Sequence, residues 1–545
     1  MEDKTVPATG SGESLDLSCD VLVVGGGFAG VYAAIAAQRA GLRVAGVEAG
    51  TGFGGVWFWN RYPGARCDLE SLDYSYSFDE ELQQEWRWSE RYATQPEILA
   101  YIEHVAKRYD LHRVFTFGVR VEAMAFDEDR ATWTVVADDG TVRTARYVML
   151  ATGSLSIPLV PDLPGLADFA GRTVFTAQWP EEGVDLAGRR VGVIGTGSSG
   201  VQSVPLFAEA AAELTVFQRT ANYSVPVRNR YLEAAQLEQE LRRYPERRAI
   251  SWASPAGSLS KAYPKTVWEI DEQERRAVLE ERWNEGGVLF GKVFPDQTID
   301  PAVNEVVARF AEEKIRGIVE DPAVADDLVP NDHPIGTKRI CTDSGYYAAF
   351  NQPHVSLVNL RREPIVEVTP TGVRTTDRAV ELDVLVLATG FDAMTGSFTR
   401  IDVRGPRGDR LADLWADGPL TYLGMTVPGL PNLVLLNGPG SPSVLANMVL
   451  TAEQQVNWAV ELIVGSAAAG HTTFEARRDA AEAWTDHVHE VAQRTLFARA
   501  KSWYVGANVP GKPQVFMPYI GGFKTYIDRC DDARDRDWAG LVLRS

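Results

Sequence analysis

The sequence predicts an α/β fold of two parallel-sheet units, the second inserted into the first and itself interrupted by a helical segment. Three observations predict it. A glycine-rich turn of GxGxxG type occurs twice, at Gly25-Gly26-Gly27-Phe28-Ala29-Gly30 and at Gly195-Thr196-Gly197-Ser198-Ser199-Gly200. Two apolar strand-like runs end in the same Ala-Thr-Gly, Arg146 to Leu150 before 151–153 and Asp383 to Leu387 before 388–390. Between Arg228 and about Pro330 the apolar runs give way to amphipathic, charge-rich segments, which marks a helical insertion.

Each element follows in order. Residues 1–18 are polar and acidic, with neither a basic start nor an apolar stretch, and read as a disordered lead and not a secretory signal. Residues 19–152 form the first part of unit one, opened by the strand Asp20 to Val24. Residues 153–228 begin unit two, after the proline-rich connector Ile157 to Pro164 and with the strand Arg190 to Ile194 before its turn. The helical insertion runs over 229–332, with helical spacing at Glu272 to Glu285 and Asn304 to Glu320. Unit two resumes over 333–384, and unit one over 385–545, where helices are expected at Glu453 to Val464 and Arg477 to Leu496.

A strand–GxGxxG–helix segment is a dinucleotide-binding, Rossmann-like context. The first glycine permits the bend, the second lets the backbone approach a pyrophosphate, and the third packs helix on strand. The pyrophosphate rests on the helix's unpaired amides. A lone fingerprint is also compatible with a plain packing turn, but here two differ at the position that reads the ribose. The second strand of unit one, Leu42 to Val47, ends at Glu48, whose carboxylate accepts from ribose hydroxyls and repels a 2′-phosphate. At the same offset unit two has Gln218, followed by Arg219 and Thr220, a guanidinium and a hydroxyl suited to a 2′-phosphate. The first site therefore suits FAD or NAD, and the second NADPH.

Composition narrows the field. The 545 residues exceed one ordinary core, and 45% hydrophobic with 23% charged residues is a globular balance. A formal net charge of −20 argues against nucleic acid or an anionic membrane surface as partner, and no apolar run approaches a membrane span. The four cysteines, Cys19, Cys67, Cys341 and Cys530, are scattered without a CxxC pair, which fits a reducing cytoplasm. No metal site is expected; His487-Val488-His489 reads as helix surface.

Beyond the fingerprints, the block Gly54-Gly55-Val56-Trp57-Phe58-Trp59-Asn60-Arg61-Tyr62-Pro63-Gly64-Ala65-Arg66-Cys67-Asp68 is poor helix and poor strand, and reads as an ordered functional loop. With this block, Phe217 to Thr220, Gly336-Thr337-Lys338-Arg339, Gly438 to Ser443 and Trp503 to Lys512, the chain from Cys19 to Leu543 resembles the type I Baeyer-Villiger monooxygenases, in their phenylacetone monooxygenase-like branch. One departure stands out. The family stretch FxGxxxHxxxWP is here Phe169 to Pro180, with Phe175 at the histidine position. That histidine belongs to interdomain positioning, so Phe175 bears on the coupling of NADPH oxidation to oxygenation.

The resemblance implies FAD held at Gly25, Gly27, Gly30, Glu48, Gly55, Trp57 and Asp68. It implies NADPH, retained as NADP+ during oxygenation, at Gly195, Gly197, Ser198, Ser199, Gly200, Arg219, Thr220, Lys338, Arg339 and Trp503. O2 is the co-substrate. A C4a-peroxyflavin attacks a ketone, giving an ester or lactone, with sulfoxidation as a side activity. Arg339 resembles the arginine that holds the peroxide anionic, and Asp68 the acid that orients it; the bland readings are a salt-bridge arginine and a loop carboxylate. Ser443, Val444, Leu445 and Met448 match the substrate-pocket loop, which suggests aryl or bulky ketones. The resemblance further implies a monomer or weak oligomer. Two rivals stay open: a nitrogen- or sulfur-oxygenating flavin monooxygenase, and an uncoupled NADPH oxidase or redox flavoprotein.

Overall fold

The computed structural model describes residues 19–259 and 261–545, so the expected N-terminal lead lies outside the described residues. Unit one opens with β1 (Cys19–Val24), whose Val-Leu-Val-Val run is buried on both faces, as an inner parallel strand requires. α1 (Phe28–Arg39) follows the first glycine turn and is almost wholly small or apolar, because it lies beneath a roof formed by the helix Met448–Ala468. β2 (Val44–Glu48) and β3 (Phe115–Phe117) extend the sheet on one side. On the other side β6 (Val142–Leu150) pairs parallel with β1, and the hairpin-linked β4 (Val121–Asp127) and β5 (Thr132–Ala137) follow antiparallel. The sheet is completed from far along the chain by Asp402–Arg404 on β4 and Leu433–Leu435 on β6.

The second sheet is five-stranded and all parallel. In spatial order it runs Val355–Asn359, β9 (Glu213–Gln218), β8 (Arg190–Ile194), Val384–Leu387 and β7 (Arg172–Phe175). The strand Val384–Leu387 sits between β8 and β7, fully buried. A return to unit one at residue 385 would split it, so unit two extends at least through Leu387, because a strand inside a ladder cannot be shared between two sheets. Helices at 234–242, 244–253, 272–285, 301–318 and 322–328 form the stretch between. Their Arg247 and Arg248 reach back into unit one. Arg247 donates to Asp73 at 2.7 Å and Glu70 at 2.9 Å, and Arg248 to Ser75 at 2.7 Å and the Tyr76 carbonyl at 3.1 Å. Breaking one partner of such a buried pair costs about 3–5 kcal/mol.

Where helices were expected at 453–464 and 477–496, the chain forms Met448–Ala468 and Arg478–Gln493. The four cysteines are free and buried. Among the described residues, no helix is long and apolar enough to cross a membrane.

Candidate active site between the two glycine turns

Both glycine turns take the same geometry. Gly25 and Gly195 have φ of 109° and 113°, a region open to glycine and costly to any side chain. Their amides donate to Val47 O at 2.8 Å and Phe217 O at 3.1 Å. A Cβ on Gly30 would lie 1.8 Å from Gly25 O, and one on Gly200 2.2 Å from Gly195 O. Each following helix starts at a glycine with no side-chain cap, so its first amides remain free for a ligand. Gly30 and Gly200 do not reach the ligand space; they permit the close packing that shapes it.

The turns face a common cavity of about 2560 Å³, lined by both units. Unit one contributes Gly25, Gly27, Glu48, Gly55, Trp57 and Asp68 to its lining, the second unit and the helical segment contribute Gly195, Gly197, Ser198, Ser199, Arg219, Thr220, Lys338 and Arg339, and Trp503 also lines it. Glu48 uses its carboxylate to accept from the amides of Gly26 and Gly50, the latter at 2.6 Å, tying the turn to its own strand end. Burial raises its pKa above the usual carboxylate value, opposed by those two amides.

The aromatic block wraps one helical turn, Val56–Trp59, inside an otherwise irregular loop. Gly55 lies against Gly27, so closely that a Cβ on Gly55 would sit 2.8 Å from Gly27 Cα. The loop then crosses to the second unit. Tyr62 donates to Gln202 Oε1 at 2.8 Å, Gln202 donates to Arg66 O at 3.1 Å, and the Trp179 amide donates to Trp59 O at 3.2 Å. These bonds deliver Asp68 to Arg339 from 271 residues away.

Arg339 meets Asp68 as a fork, Nε to Oδ2 at 2.8 Å and Nη2 to Oδ1 at 2.6 Å, while Nη1 donates to Val444 O at 2.9 Å. Desolvation works against the guanidinium's charge, but Asp68 outweighs it and holds the pKa above the ordinary arginine value. The side chain is still 35% exposed, toward the cavity. The result is a permanent, rigidly aimed cation on the wall between the two turns. Burial pushes the thiol of neighbouring Cys67 well up, which disfavours its thiolate.

The pocket loop is only half as expected. Val444 and Met448 line the cavity. Ser443 does not: it is 0% exposed, in a left-handed conformation with φ 44°, and its hydroxyl turns toward the sulfurs of Met394 and Met448. Leu445, half-buried, packs against the cluster that also holds Val444 and Met448, and is not among the residues that line the cavity. Phe175 ends β7 and lines the cavity between the units, where a ring can pack but cannot donate a hydrogen bond.

Lys512, the last residue of the Trp503–Lys512 motif, is not itself in the cavity lining but braces it, and two lining residues, Asp332 and Arg361, belong to none of the motifs. Lys512 donates to Asp392 at 2.8 Å and to Ala393 O at 2.6 Å, pinning the loop that carries Trp503 to the segment after the second Ala-Thr-Gly. Asp332 and Arg361 stand beside Arg219, Thr220 and Lys338. No periodicity marks such residues; only the recurrence of charge near glycine turns could have singled them out.

Fold and site define the class first: a two-dinucleotide oxidoreductase, and residues 19–242 match the pyridine nucleotide-disulphide oxidoreductase family. Within that class the chain is 38% identical over 530 residues to a Baeyer-Villiger monooxygenase of Pseudooceanicola batsensis, covering 96% of both chains. A phenazine N-monooxygenase of Lysobacter antibioticus is also 38% identical, over 96% of this chain and 97% of that one. A solved steroid monooxygenase, oxidised and bound to NADP, is 50% identical with a TM-score of 0.93, covering 96% of this chain and 99% of that one. The chain belongs to the Baeyer-Villiger monooxygenases, flavoenzymes that use FAD and NADPH.

Proposed function

We propose that this enzyme inserts one oxygen of O2 beside the carbonyl of a bulky or aryl ketone, giving an ester or lactone, with sulfoxidation as a side activity. The observation that carries the reading is the Arg339–Asp68 fork on the wall between the two glycine turns. When bound, reduced FAD supplies the electrons that activate O2. The chain's own part is electrostatic and steric. Arg339 stabilises negative charge as it develops near the flavin, Asp68 fixes its direction, and the Val444 carbonyl couples it to the substrate loop. A preorganised donor of this kind contributes about 3–4 kcal/mol in a site sheltered from water.

The free amides at Gly27 and the Glu48 carboxylate suit the FAD diphosphate and ribose. Gly197, Ser198, Arg219, Thr220 and Lys338 suit NADPH, with Trp503 covering the nicotinamide side. The steroid monooxygenase neighbour supports a polycyclic or aryl ketone over a small one. Four buried free cysteines support a cytoplasmic protein, and we read it as monomeric or weakly associated.

The test is NADPH consumption by the yellow holoenzyme with aryl, cyclic and steroid ketones, with oxygenated product and hydrogen peroxide quantified in the same vials. Product matching the NADPH consumed is expected. Peroxide matching it, with no product from any ketone or sulfide, overturns the reading in favour of an uncoupled oxidase. The phenazine N-monooxygenase relative favours one second reading, N-oxygenation; turnover of an aromatic amine or N-heterocycle with every ketone inert would establish it.

A further inference from the structure

We propose that Arg361 is a further ligand for the 2′-phosphate of NADPH, held over that site by Asp332. The proposal rests on the reading of Arg219, Thr220 and Lys338 as the phosphate ligands. The sheet register places it there. Val355–Asn359 pairs parallel with β9, Asn359 opposite Gln218, and the Leu360 amide donates to Gln218 O at 2.8 Å. The chain leaving this strand therefore emerges at the carboxyl end of the sheet, where ligands bind, beside Arg219 and Thr220. The Arg361 amide is fixed by Asn359 Oδ1 at 3.0 Å, and its guanidinium donates to Thr220 Oγ1 at 3.4 Å.

Asp332, at the exit of the helical segment, gathers this corner. One carboxylate oxygen accepts from His333 Nδ1 at 2.6 Å and lies 3.6 Å from Lys338 Nζ; the other accepts from Arg361. Arg361, Lys338 and Arg219 all line the cavity. Burial holds His333 below its ordinary value, leaving it neutral near pH 7. Three cations against one carboxylate leave a net charge of two, matching a phosphate monoester of roughly two negative charges at pH 7. The adjacent Arg362 is different: it forks onto Asp327, away from this cluster, and is neutralised there. A guanidinium half exposed beside a threonine hydroxyl is free to turn its remaining donors onto a phosphate that arrives between them.

The experiment is titration calorimetry of the FAD-loaded enzyme with 2′,5′-ADP and, separately, 5′-AMP, which lacks the 2′-phosphate. Arg361→Ala should raise the Kd for 2′,5′-ADP about tenfold and leave 5′-AMP within twofold. Arg361→Lys should recover part of the loss, and Arg361→Gln, which keeps the side chain's length, stands in if the alanine variant loses flavin. Arg219→Ala is the control for the underlying reading. If it weakens 2′,5′-ADP while Arg361→Ala and Arg361→Gln do not, the assignment of Arg361 fails alone. If neither position matters, the phosphate site itself is misplaced. Equal losses for both nucleotides would reduce Arg361 to a structural residue.

Discussion

In unit one Gly25 and its helix-start Gly27, and in unit two Gly195 and Gly197, differ by only a few degrees, with Gly27 at φ −82°, ψ −170° and Gly197 at φ −81°, ψ −169°. Their surroundings differ far more. Gly27 is covered by Gly55 of the aromatic loop, and its turn is fastened by Glu48. A Cβ on Gly197 would meet nothing within 4 Å, and its reader segment is fastened by Thr196 donating to Thr220 O at 2.9 Å. The turn is thus a generic diphosphate cradle. What surrounds the two turns is what the proposed selectivity rests on: an acid and a closed loop in one unit, a cluster of cations in the other.

The sharpest break in this comparison is at the point where the units meet. Arg339→Ala should lower ester formation about 100- to 1000-fold, about 3–4 kcal/mol, while the protein stays yellow and 5′-AMP still binds. Product yield unchanged by this variant would remove Arg339 from the chemistry.

The next tests the roof over unit one. Glu453, on the helix packed against α1, is buried; desolvation raises its pKa to about 7 against an ordinary 4.5, although Ser77 donates to it from both amide and hydroxyl. A raised carboxylate favours its protonated form in the fold, so its stabilising proton is lost as pH rises from 4.5 through 7. Stability should fall over that window by up to about 3 kcal/mol, and Glu453→Gln should flatten the slope in thermal melts. A wild-type slope that Glu453→Gln leaves untouched would place the pH dependence elsewhere.

Gly30→Ala and Gly200→Ala probe the shared turn directly. Each adds a methyl against a backbone oxygen, at 1.8 and 2.2 Å, for about 1–3 kcal/mol of overpacking. The first should empty the protein of flavin; the second should keep flavin absorbance and lose NADP+ binding. Flavin loss from both would mean that the units do not act separately. The smallest effect belongs to Lys338→Ala, which should raise the NADP+ Kd roughly tenfold, about 1.4 kcal/mol, with FAD content unchanged. Equal weakening of NAD+ would contradict a role at the 2′-phosphate.

Much of this was legible beforehand where the signal is local. Both turns, the strand ends at Glu48 and Gln218 beside them, and the helix at 272–285 follow from spacing over a few tens of residues. Asp68 and Arg339 were named through family motifs, but their fork depends on a loop anchored across the units by Tyr62 and Gln202. Of the four residues expected on the pocket loop, Val444 and Met448 line the cavity and Ser443 and Leu445 do not, a distinction that a single helical turn has no periodicity to signal.

The sequence by itself determined the two nucleotide cradles, since a glycine turn between strand and helix is a local solution to backbone strain and close packing. Only the tertiary structure decided which charges surround them. Asp332, Arg361 and the Val444 carbonyl come from segments that are neighbours through sheet register and domain insertion, and no local pattern in the chain encodes the distance between them.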